Sequence, residues 1–287
     1  MVKCLPLLIL FFSDVCMASA PADVWRLRYD ERGLPLADVR INNRFHTLML
    51  DTGSGEGLHL YKHNLDTLVA NFGLKVTQKA PRRMIDVSGG ESITPSWKIH
   101  QLTISDVPFD DVEAVALKPW GFNLGGDVPT NEVLGLGIFH DRRVLIDFKN
   151  DRLQVLDSLP SEVNKWSFYP VEQTESGLRV TAFVGATPLH LIVDTGASHS
   201  LLFSDRLPEN TLFSGCKTLE PEASNLDCRV AELSITDNEG RTSNNLAIVS
   251  SSPTPEEIDF DGLLGMNFMR ERKVILDMIE GRLYINP

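Results

Sequence analysis

Short apolar runs separated by turn residues are the main pattern along the chain. Leu48-Met49-Leu50 follows the turn pair Asn42-Asn43, and Leu191-Ile192-Val193 follows Gly185-Ala186. Asparagine and glycine tolerate the positive φ angles that a two-residue hairpin turn demands, and the apolar runs have the length of strands. The pattern predicts a β-hairpin at each of the two places.

A second pair of hairpins is predicted nearer the end of each half. Val144-Leu145-Ile146 precedes a turn at Asn150-Asp151, and Val274-Ile275-Leu276 precedes a turn at Glu280-Gly281. In both copies an aspartate ends the apolar run and a further apolar segment follows the turn. Strand, turn and strand in this order are typical of a hairpin.

These hairpins belong to an internal repeat. Val39 to Ser54 aligns with Ala182 to Ala197, and Val133 to Val155 aligns with Leu263 to Ile285. Self-similarity of this kind indicates that one structural unit occurs twice. The sequence therefore predicts an all-β protein with two similar halves.

The first half has a longer segment between its two aligned parts than the second half. This segment contains the glycine turn Ser88, Gly89, Gly90 and Glu91, with strand-like residues on either side of it. Glycine pairs mark turns, and the extra length favours the interpretation of this segment as a mobile flap. An ordinary surface hairpin is the alternative interpretation.

The helical pattern is sparse. Leu65, Leu68 and Val69 recur at helical spacing after Asn64, which we expect to cap a short helix. Residues 159–166 contain proline, serine and asparagine and are typical of a linker. We therefore expect an N-terminal lobe with the flap at 21–158 and a C-terminal lobe at 167–287.

Residues 1–20 have the pattern of an export signal. Lys3 precedes the apolar run from Leu5 to Phe12, and small residues end the segment at Ala18-Ser19-Ala20. The run is too short to span a bilayer, and a buried N-terminal strand is the alternative. We expect cleavage after Ala18 or Ala20, export to the periplasm or the medium, and no stable membrane insertion afterwards.

Cysteine usage agrees with an oxidising compartment. Loss of the signal would remove Cys4 and Cys16 and leave Cys216 and Cys228 as a single possible disulfide pair. Such a bridge would stabilise the fold by about 3 kcal/mol, mainly by restricting the unfolded chain. Two free thiols are the alternative.

Composition and charge exclude some partners. The chain has 287 residues, 43% of them hydrophobic, and a formal net charge of −12. It has enough apolar material for sizeable cores, and no long basic run that could follow a phosphate backbone. We expect no nucleic acid partner.

The tripeptide Asp-Thr-Gly follows an apolar strand in both halves, at Asp51 and at Asp194. Roughly 0.06 copies are expected by chance in a chain of this length, so two copies at matching positions indicate function. A carboxylate can activate water if a second carboxyl group protonates the carbonyl oxygen under attack. Two similar halves can bring two such groups face to face, so that they share one proton.

The other residues of the triplets have physical roles in this arrangement. Gly53 and Gly196 would let the two loops turn tightly and approach each other. Thr52 and Thr195 could form hydrogen bonds across the axis that relates the halves.

The doubled pattern resembles the pepsin/retropepsin family of aspartic proteases over nearly all of the chain after the signal. The lengths of the halves and the glycine turn are closer to bacterial retropepsin-like domains than to eukaryotic pepsins. The resemblance implies a bilobal acid-protease fold of two β-barrel halves with a cleft between them. It also implies hydrolysis of peptide bonds in proteins or peptides, by a water held between Asp51 and Asp194. The active-site support that it implies consists of Thr52, Gly53, Ser54, Thr195, Gly196, Ala197, Gly135 and Gly265.

The two triplets differ in the residue that follows them, Ser54 in the first half and Ala197 in the second. A hydrogen bond to an ionised carboxylate lowers its pKa. We therefore expect Asp51 to ionise more readily, through the Ser54 hydroxyl, and Asp194 to hold the shared proton.

Other classes of protein fit less well. His59 and His63 lie four residues apart but lack the glutamate and the third ligand of a zinc protease, and we expect neither metal nor cofactor. His199 lies close to the second triplet, where a surface or core role is the expectation. A non-catalytic peptide-binding protein with the same fold remains the alternative from another class. The repeat makes an active dimer unnecessary, and we expect a monomer.

Overall fold

The computed structural model describes residues 24–42, 44–85, 90–118, 130–174, 176–219, 228–252 and 258–286. The strands of the first half are β1 (Val24–Tyr29), β2 (Pro35–Ile41), β3 (Arg44–Asp51), β4 (Leu58–Leu60), β5 (Val76–Ile85), β6 (Glu91–Ile104), β7 (Val107–Ala116), β8 (Val133–Gly135), β9 (Arg143–Asp147) and β10 (Arg152–Leu156), with helix α1 (Lys62–Phe72) after β4. The strands of the second half are β11 (Ser167–Thr174), β12 (Gly177–Val184), β13 (Thr187–Val193), β14 (Ser200–Phe203), β15 (Ser214–Gly215), β16 (Arg229–Thr236), β17 (Thr242–Ser250), β18 (Gly262–Leu264), β19 (Lys273–Asp277) and β20 (Arg282–Ile285), with helix α2 (Met266–Met269) after β18.

All four predicted hairpins are confirmed. Strands β2 and β3 pair across a turn in which Asn42 has a φ of 45°, and β12 and β13 pair across Gly185, with a φ of 60°. The turns of the β9–β10 and β19–β20 hairpins contain Asp151 and Gly281, which also have positive φ angles. Residues that tolerate this backbone region therefore occupy each turn.

A continuous antiparallel sheet joins the two halves. Its strand order is β1, β10, β9, β19, β20 and β11, so that one hairpin from each half meets at the centre. In the central pair, Asp147 lies opposite Lys273 and Arg143 lies opposite Asp277. The same contact is thus made twice, in opposite directions, about an approximate two-fold axis.

Each Asp-Thr-Gly triplet lies at the end of a buried strand. Strand β3 runs parallel to β8, with Asp51 opposite Gly135, and β13 runs parallel to β18, with Val193 opposite Leu264. Both faces of these strands are covered, which explains why their sequences read as unbroken apolar runs. The core that supports them is a single cluster with buried side chains from both halves.

The predicted helix is present but begins earlier than expected. Helix α1 starts at Lys62 with Tyr61 at the N-cap, so the assignment of Asn64 as the cap is wrong. The Asn64 amide instead donates to Oε1 of Glu132 at 2.9 Å, and the same oxygen accepts the Tyr61 N–H at 2.7 Å. The carboxylate of Glu132, which is distant in sequence, therefore accepts the N–H of the N-cap residue. Helical periodicity cannot show such a contact. Leu65 and Leu68 are buried as predicted.

Residues 159–166 connect the halves and are themselves packed. Ser161–Lys165 form a 3-10 helix, and Val163 and Trp166 are buried against Leu145 and Ile275 of the central sheet. The connection is therefore fixed to the sheet that joins the halves.

Two sequence predictions fall on parts of the chain that the structure does not describe. The signal pattern of residues 1–20, with both of its cleavage positions, lies outside the described residues, and so do Ser88 and Gly89. Within the described ranges, no helix has the length and apolar character needed to cross a membrane.

Candidate active site

Asp51 and Asp194 occupy equivalent places in the two halves and are both buried. Asp51 is the last residue of β3, and Asp194 directly follows β13. Their side chains hydrogen-bond to each other, and only 8% of Asp51 and 9% of Asp194 is exposed. The structure thus brings together the two carboxyl groups that the sequence singled out.

Four hydrogen bonds made by Thr52 and Thr195 hold the two loops together. The Thr52 hydroxyl donates to the Val193 carbonyl at 2.7 Å, and the Thr195 hydroxyl donates to the Leu50 carbonyl at 2.7 Å. Each hydroxyl also accepts the backbone N–H of the other threonine, at 3.0 and 3.1 Å. Each threonine therefore binds the strand that ends in the opposite aspartate, as predicted, and these bonds fix the loops across the axis.

Gly53 and Gly196 allow the close approach. Each donates its backbone N–H to Oδ1 of the aspartate in its own triplet, at 2.9 Å for Gly53 and 2.7 Å for Gly196. A methyl group added at Gly53 would lie 2.7 Å from Cγ of Asp194, and one at Gly196 would lie 2.8 Å from Cγ of Asp51. Glycine is required at both positions because each faces the opposite carboxyl group.

The two carboxyl groups differ in proton affinity. Burial raises the pKa of Asp51, while the hydrogen bond from Asp194 and backbone N–H donors oppose the rise. Burial and the negative charge of Asp51 together raise the pKa of Asp194 well above its ordinary value. Both directions favour a pair that shares one proton, and the larger rise at Asp194 favours the proton on that side.

The expected cause of this difference is wrong. The Ser54 hydroxyl does not contact the carboxyl group of Asp51; it lies 2.6 Å from Nε2 of His59 and 3.5 Å from Oε2 of Glu56. The charge and hydrogen bonds of Asp51 itself separate the two pKa values, without the Ser54 hydroxyl.

Behind Asp51 lies a polar cluster, made up of Ser54, Glu56, His59 and Arg82. His59 is fully buried in β4, and burial together with the charge of Arg82 lowers its pKa to about 3, so it is neutral. Oε1 of Glu56 forms an ion pair with Arg82 of β5 at 2.8 Å, and the Glu56 side chain is 10% exposed. The cluster thus joins the first catalytic loop to the β5–β6 hairpin.

The support behind Asp194 is neutral. Ala197 packs on a second apolar cluster at the position equivalent to Ser54. The buried Ser200 hydroxyl donates to Asn267 at 2.9 Å, and it accepts the Gly265 N–H and the Asn245 amide, both at 3.0 Å. Amides and hydroxyls therefore replace the charged groups of the first half.

Gly135 and Gly265 pack beside the catalytic loops, as expected from the resemblance. A methyl group at Gly135 would lie 3.0 Å from the Ser54 hydroxyl, and one at Gly265 would lie 2.8 Å from the Ser200 nitrogen. Neither position has room for a side chain.

The remaining predicted residues lie in two hairpins. Gly90 directly precedes β6, and Glu91 pairs with Ile85 of β5, so the two residues lie in a hairpin at the expected place. Cys216 and Cys228 form the predicted disulfide, with Cα atoms 5.7 Å apart. Among the described residues, no group of three or more histidine, cysteine, aspartate or glutamate side chains could hold a metal ion.

Sequence reasoning missed three residues of the polar cluster: Glu56, His59 and Arg82. The signal available was a histidine between two leucines in a short apolar strand, at Leu58-His59-Leu60. A buried polar side chain needs a partner, so such a residue points to a polar cluster in the core.

Comparison with known proteins agrees with this geometry. Residues 37–138 match the family model described as aspartyl protease. Basic 7S globulin from soybean has a similar structure, with a TM-score of 0.52, 12% identity, and coverage of 92% of this chain and 94% of that chain. The aspartic proteinase from Irpex lacteus has a TM-score of 0.52, 13% identity, and coverage of 91% and 96%. No curated protein sequence matches the chain.

The similarity to the two solved structures shows the fold. The chain has the bilobal, mostly β fold of pepsin-like aspartic proteinases, with Asp51 and Asp194 where the halves meet. One of the two similar structures is named as a globulin and the other as a proteinase. The fold by itself therefore leaves the activity to be inferred from the site.

Proposed function

We propose that the protein is an aspartic endopeptidase that hydrolyses peptide bonds in proteins or peptides. The observation that carries the proposal is the pair of buried, mutually hydrogen-bonded carboxyl groups of Asp51 and Asp194, held by hydrogen bonds from both halves. The match of residues 37–138 to aspartyl proteases supports it.

The reaction follows from the difference in proton affinity. Ionised Asp51 takes a proton from a water as the water oxygen bonds to the peptide carbonyl carbon, and Asp194 gives its proton to the carbonyl oxygen. The resulting tetrahedral diol then returns the proton from its hydroxyl to Asp194, while the amine leaves with the proton held by Asp51. General acid and base catalysis of this kind contributes about 10²- to 10⁴-fold from each group.

We propose an exported, monomeric enzyme of the internally duplicated, single-chain bacterial type, located in the periplasm or the medium after loss of residues 1–20. Its lobes are residues 21–158 and 167–287, connected by residues 159–166, and the β5–β6 hairpin is its flap. The Cys216–Cys228 disulfide is consistent with an oxidising compartment. Substrate would bind in the cleft between the lobes.

The second candidate is a peptide-binding protein without catalysis, and the similarity to a globulin favours it. The intact pair of aspartates argues for the enzyme. Two like carboxyl groups taken out of water cost several kcal/mol, which a binder would have no reason to retain.

The test is cleavage of an unfolded protein substrate between about pH 3 and pH 8, with and without pepstatin. We expect the wild type to cleave and both Asp51→Asn and Asp194→Asn to lose at least about 10³-fold in kcat. Circular dichroism would establish that the variants are folded. Full activity in either variant would contradict a shared pair, and peptide binding without cleavage by folded wild type would favour the binder.

A further inference from the structure

The polar cluster behind Asp51 is unusual because it places an ion pair in the wall of the active site. In the second half of this chain the equivalent position is supported by neutral side chains, those of Ser200, Asn245 and Asn267. In the first half, Glu56 lies two residues beyond Ser54 and is buried, with Arg82 as its cation.

Charge on Glu56 acts directly on Asp51. Burial is the main cause of the raised pKa of Asp51, and repulsion from Glu56 adds to it by less than the hydrogen bonds to Asp51 act against it. Among the residues that the structure describes, the charged and titratable groups named as acting on Asp51, Glu56 or His59 are Asp194 across the axis, His59 on β4 and Arg82 on β5. His59 is neutral, and the Glu56 backbone lies against Gly135 and Gly137, which carry no charge. Arg82 is thus the cation placed to offset Glu56.

Arg82 belongs to a different element from the catalytic loop. It lies on β5, opposite Thr94 of β6, just after an irregularity in the pairing of these two strands. Its side chain is 50% exposed, whereas that of Glu56 is 10% exposed. The ion pair therefore connects a partly exposed hairpin strand to a buried carboxylate beside the reacting groups.

We propose that Glu56 and Arg82 are positioning residues for Asp51, an ion pair whose opposed charges set how readily Asp51 ionises in the presence of the substrate. This inference deepens the proposed function and rests on it, since it assigns Asp51 the role of the base. With the pair intact, the positive charge of Arg82 opposes the repulsion from Glu56. Without Arg82, that repulsion would favour protonation of Asp51 and so disfavour attack by water.

His59 and Ser54 are the other two members of the polar cluster. The 2.6 Å contact between the Ser54 hydroxyl and His59 Nε2 keeps the hydroxyl away from Asp51, and Nε2 lies 3.8 Å from Oε2 of Glu56. Because a neutral imidazole adds no charge, the ion pair is the element of the cluster that changes the electrostatics of Asp51.

The test measures the titration of the Asp51 carboxyl group by ¹³C NMR, assigned with Asp51→Asn, together with the acidic limb of kcat/KM. We expect Arg82→Gln to move the Asp51 midpoint to higher pH by roughly half a unit to one unit, since an opposing charge is lost. Glu56→Gln should move it to lower pH, and the double variant should return near the wild type. Arg82→Lys keeps the charge and should restore the wild-type midpoint.

Arg83 provides the matched control. It is the next residue on β5 and pairs with exposed Glu91 at 2.8 Å, so Arg83→Gln should leave the Asp51 midpoint unchanged. An unchanged midpoint in both Arg82→Gln and Glu56→Gln, or a shift of equal size in Arg83→Gln, would overturn the proposal. Absence of cleavage by the wild type would contradict the enzyme, while the NMR titration would still decide whether the ion pair acts on Asp51.

Discussion

The two Asp-Thr-Gly loops share a backbone and differ in what lies behind it. Asp51 and Asp194 each follow a buried strand, accept a glycine N–H and face the glycine of the other loop. Behind Asp51 are an ion pair and a buried histidine, whereas a network of hydroxyl and amide groups lies behind Asp194. The repeated backbone sets where the carboxyl groups are, whereas the side chains behind them give the two carboxyl groups different surroundings.

The strongest way to break the comparison is to crowd one loop at a time. Gly53→Ala places a methyl group 2.7 Å from Cγ of Asp194, and Gly196→Ala places one 2.8 Å from Cγ of Asp51. We expect either change to displace the opposite carboxyl group and lower kcat by more than about 100-fold, as small misplacements of reacting groups do. Steady-state assays of the two folded variants would measure this loss.

Gly215 is the control for these substitutions. No heavy atom lies within 4 Å of a methyl group added there, and the residue has an extended backbone with a φ of −89°. Gly215→Ala should retain wild-type kcat. Wild-type activity in Gly53→Ala or Gly196→Ala would show that the added methyl group does not displace the opposite carboxyl group.

A second experiment sharpens the comparison by making the first half resemble the second. The equivalent strand β14 carries the apolar residues Leu201, Leu202 and Phe203, whereas β4 carries His59. The pKa of His59, about 3, lies below the ordinary value of 6.5 because burial disfavours the charged form. Between these pH values the unfolded chain binds a proton that the folded protein does not, so stability falls as pH falls. The raised pKa values of Asp51 and Asp194 act in the opposite direction, because the folded protein takes up their protons first.

His59→Leu should therefore remove the contribution of His59 to the loss of stability at acidic pH, and leave the contributions of Asp51 and Asp194 in place. We expect the free energy of unfolding of the variant, relative to wild type, to rise by about 3 kcal/mol between pH 7 and pH 4. Urea unfolding at both pH values would measure it. His63→Leu, at an exposed position on α1, should show a constant difference, and a constant difference in His59→Leu would refute a buried neutral histidine.

The smallest effect concerns the ion pairs where the halves meet. Arg143 lies 2.9 Å from buried Asp277, whereas Lys273 lies 3.8 Å from buried Asp147, which also binds Arg152 and Asn150. We expect Arg143→Gln to cost about 2 kcal/mol in unfolding free energy and Lys273→Gln less than about 1 kcal/mol. Chemical unfolding would measure both values, and equal losses of unfolding free energy would show that Arg152 and Asn150 do not compensate Asp147 for the loss of Lys273.

Much of the fold and the centre of the site could be predicted from the sequence. Turn pairs such as Gly185-Ala186 and apolar runs such as Val144-Leu145-Ile146 are local signals, and the structure follows them. The repeated Asp-Thr-Gly placed Asp51 and Asp194 together because two copies of one unit meet about an axis.

The contacts that could not be predicted are those that join distant, unrepeated side chains. Glu56 meets Arg82 only because the β5–β6 hairpin folds over the first loop, and no local pattern encodes that approach. Glu132 similarly replaces Asn64 as the group that caps α1. The Ser54 hydroxyl was assigned to Asp51 by its place in sequence, whereas the nearby imidazole of His59 offers a closer partner.

The sheet that joins the halves also determines how the molecule can deform. Its backbone hydrogen bonds run without interruption from β10 through β9, β19 and β20, and residues 161–165 are fastened to it by Val163 and Trp166. A chain with a loose connection could bend at that point, but here bending at one place would break ladder hydrogen bonds. Movement of one half against the other is therefore restrained along the whole sheet rather than at one hinge.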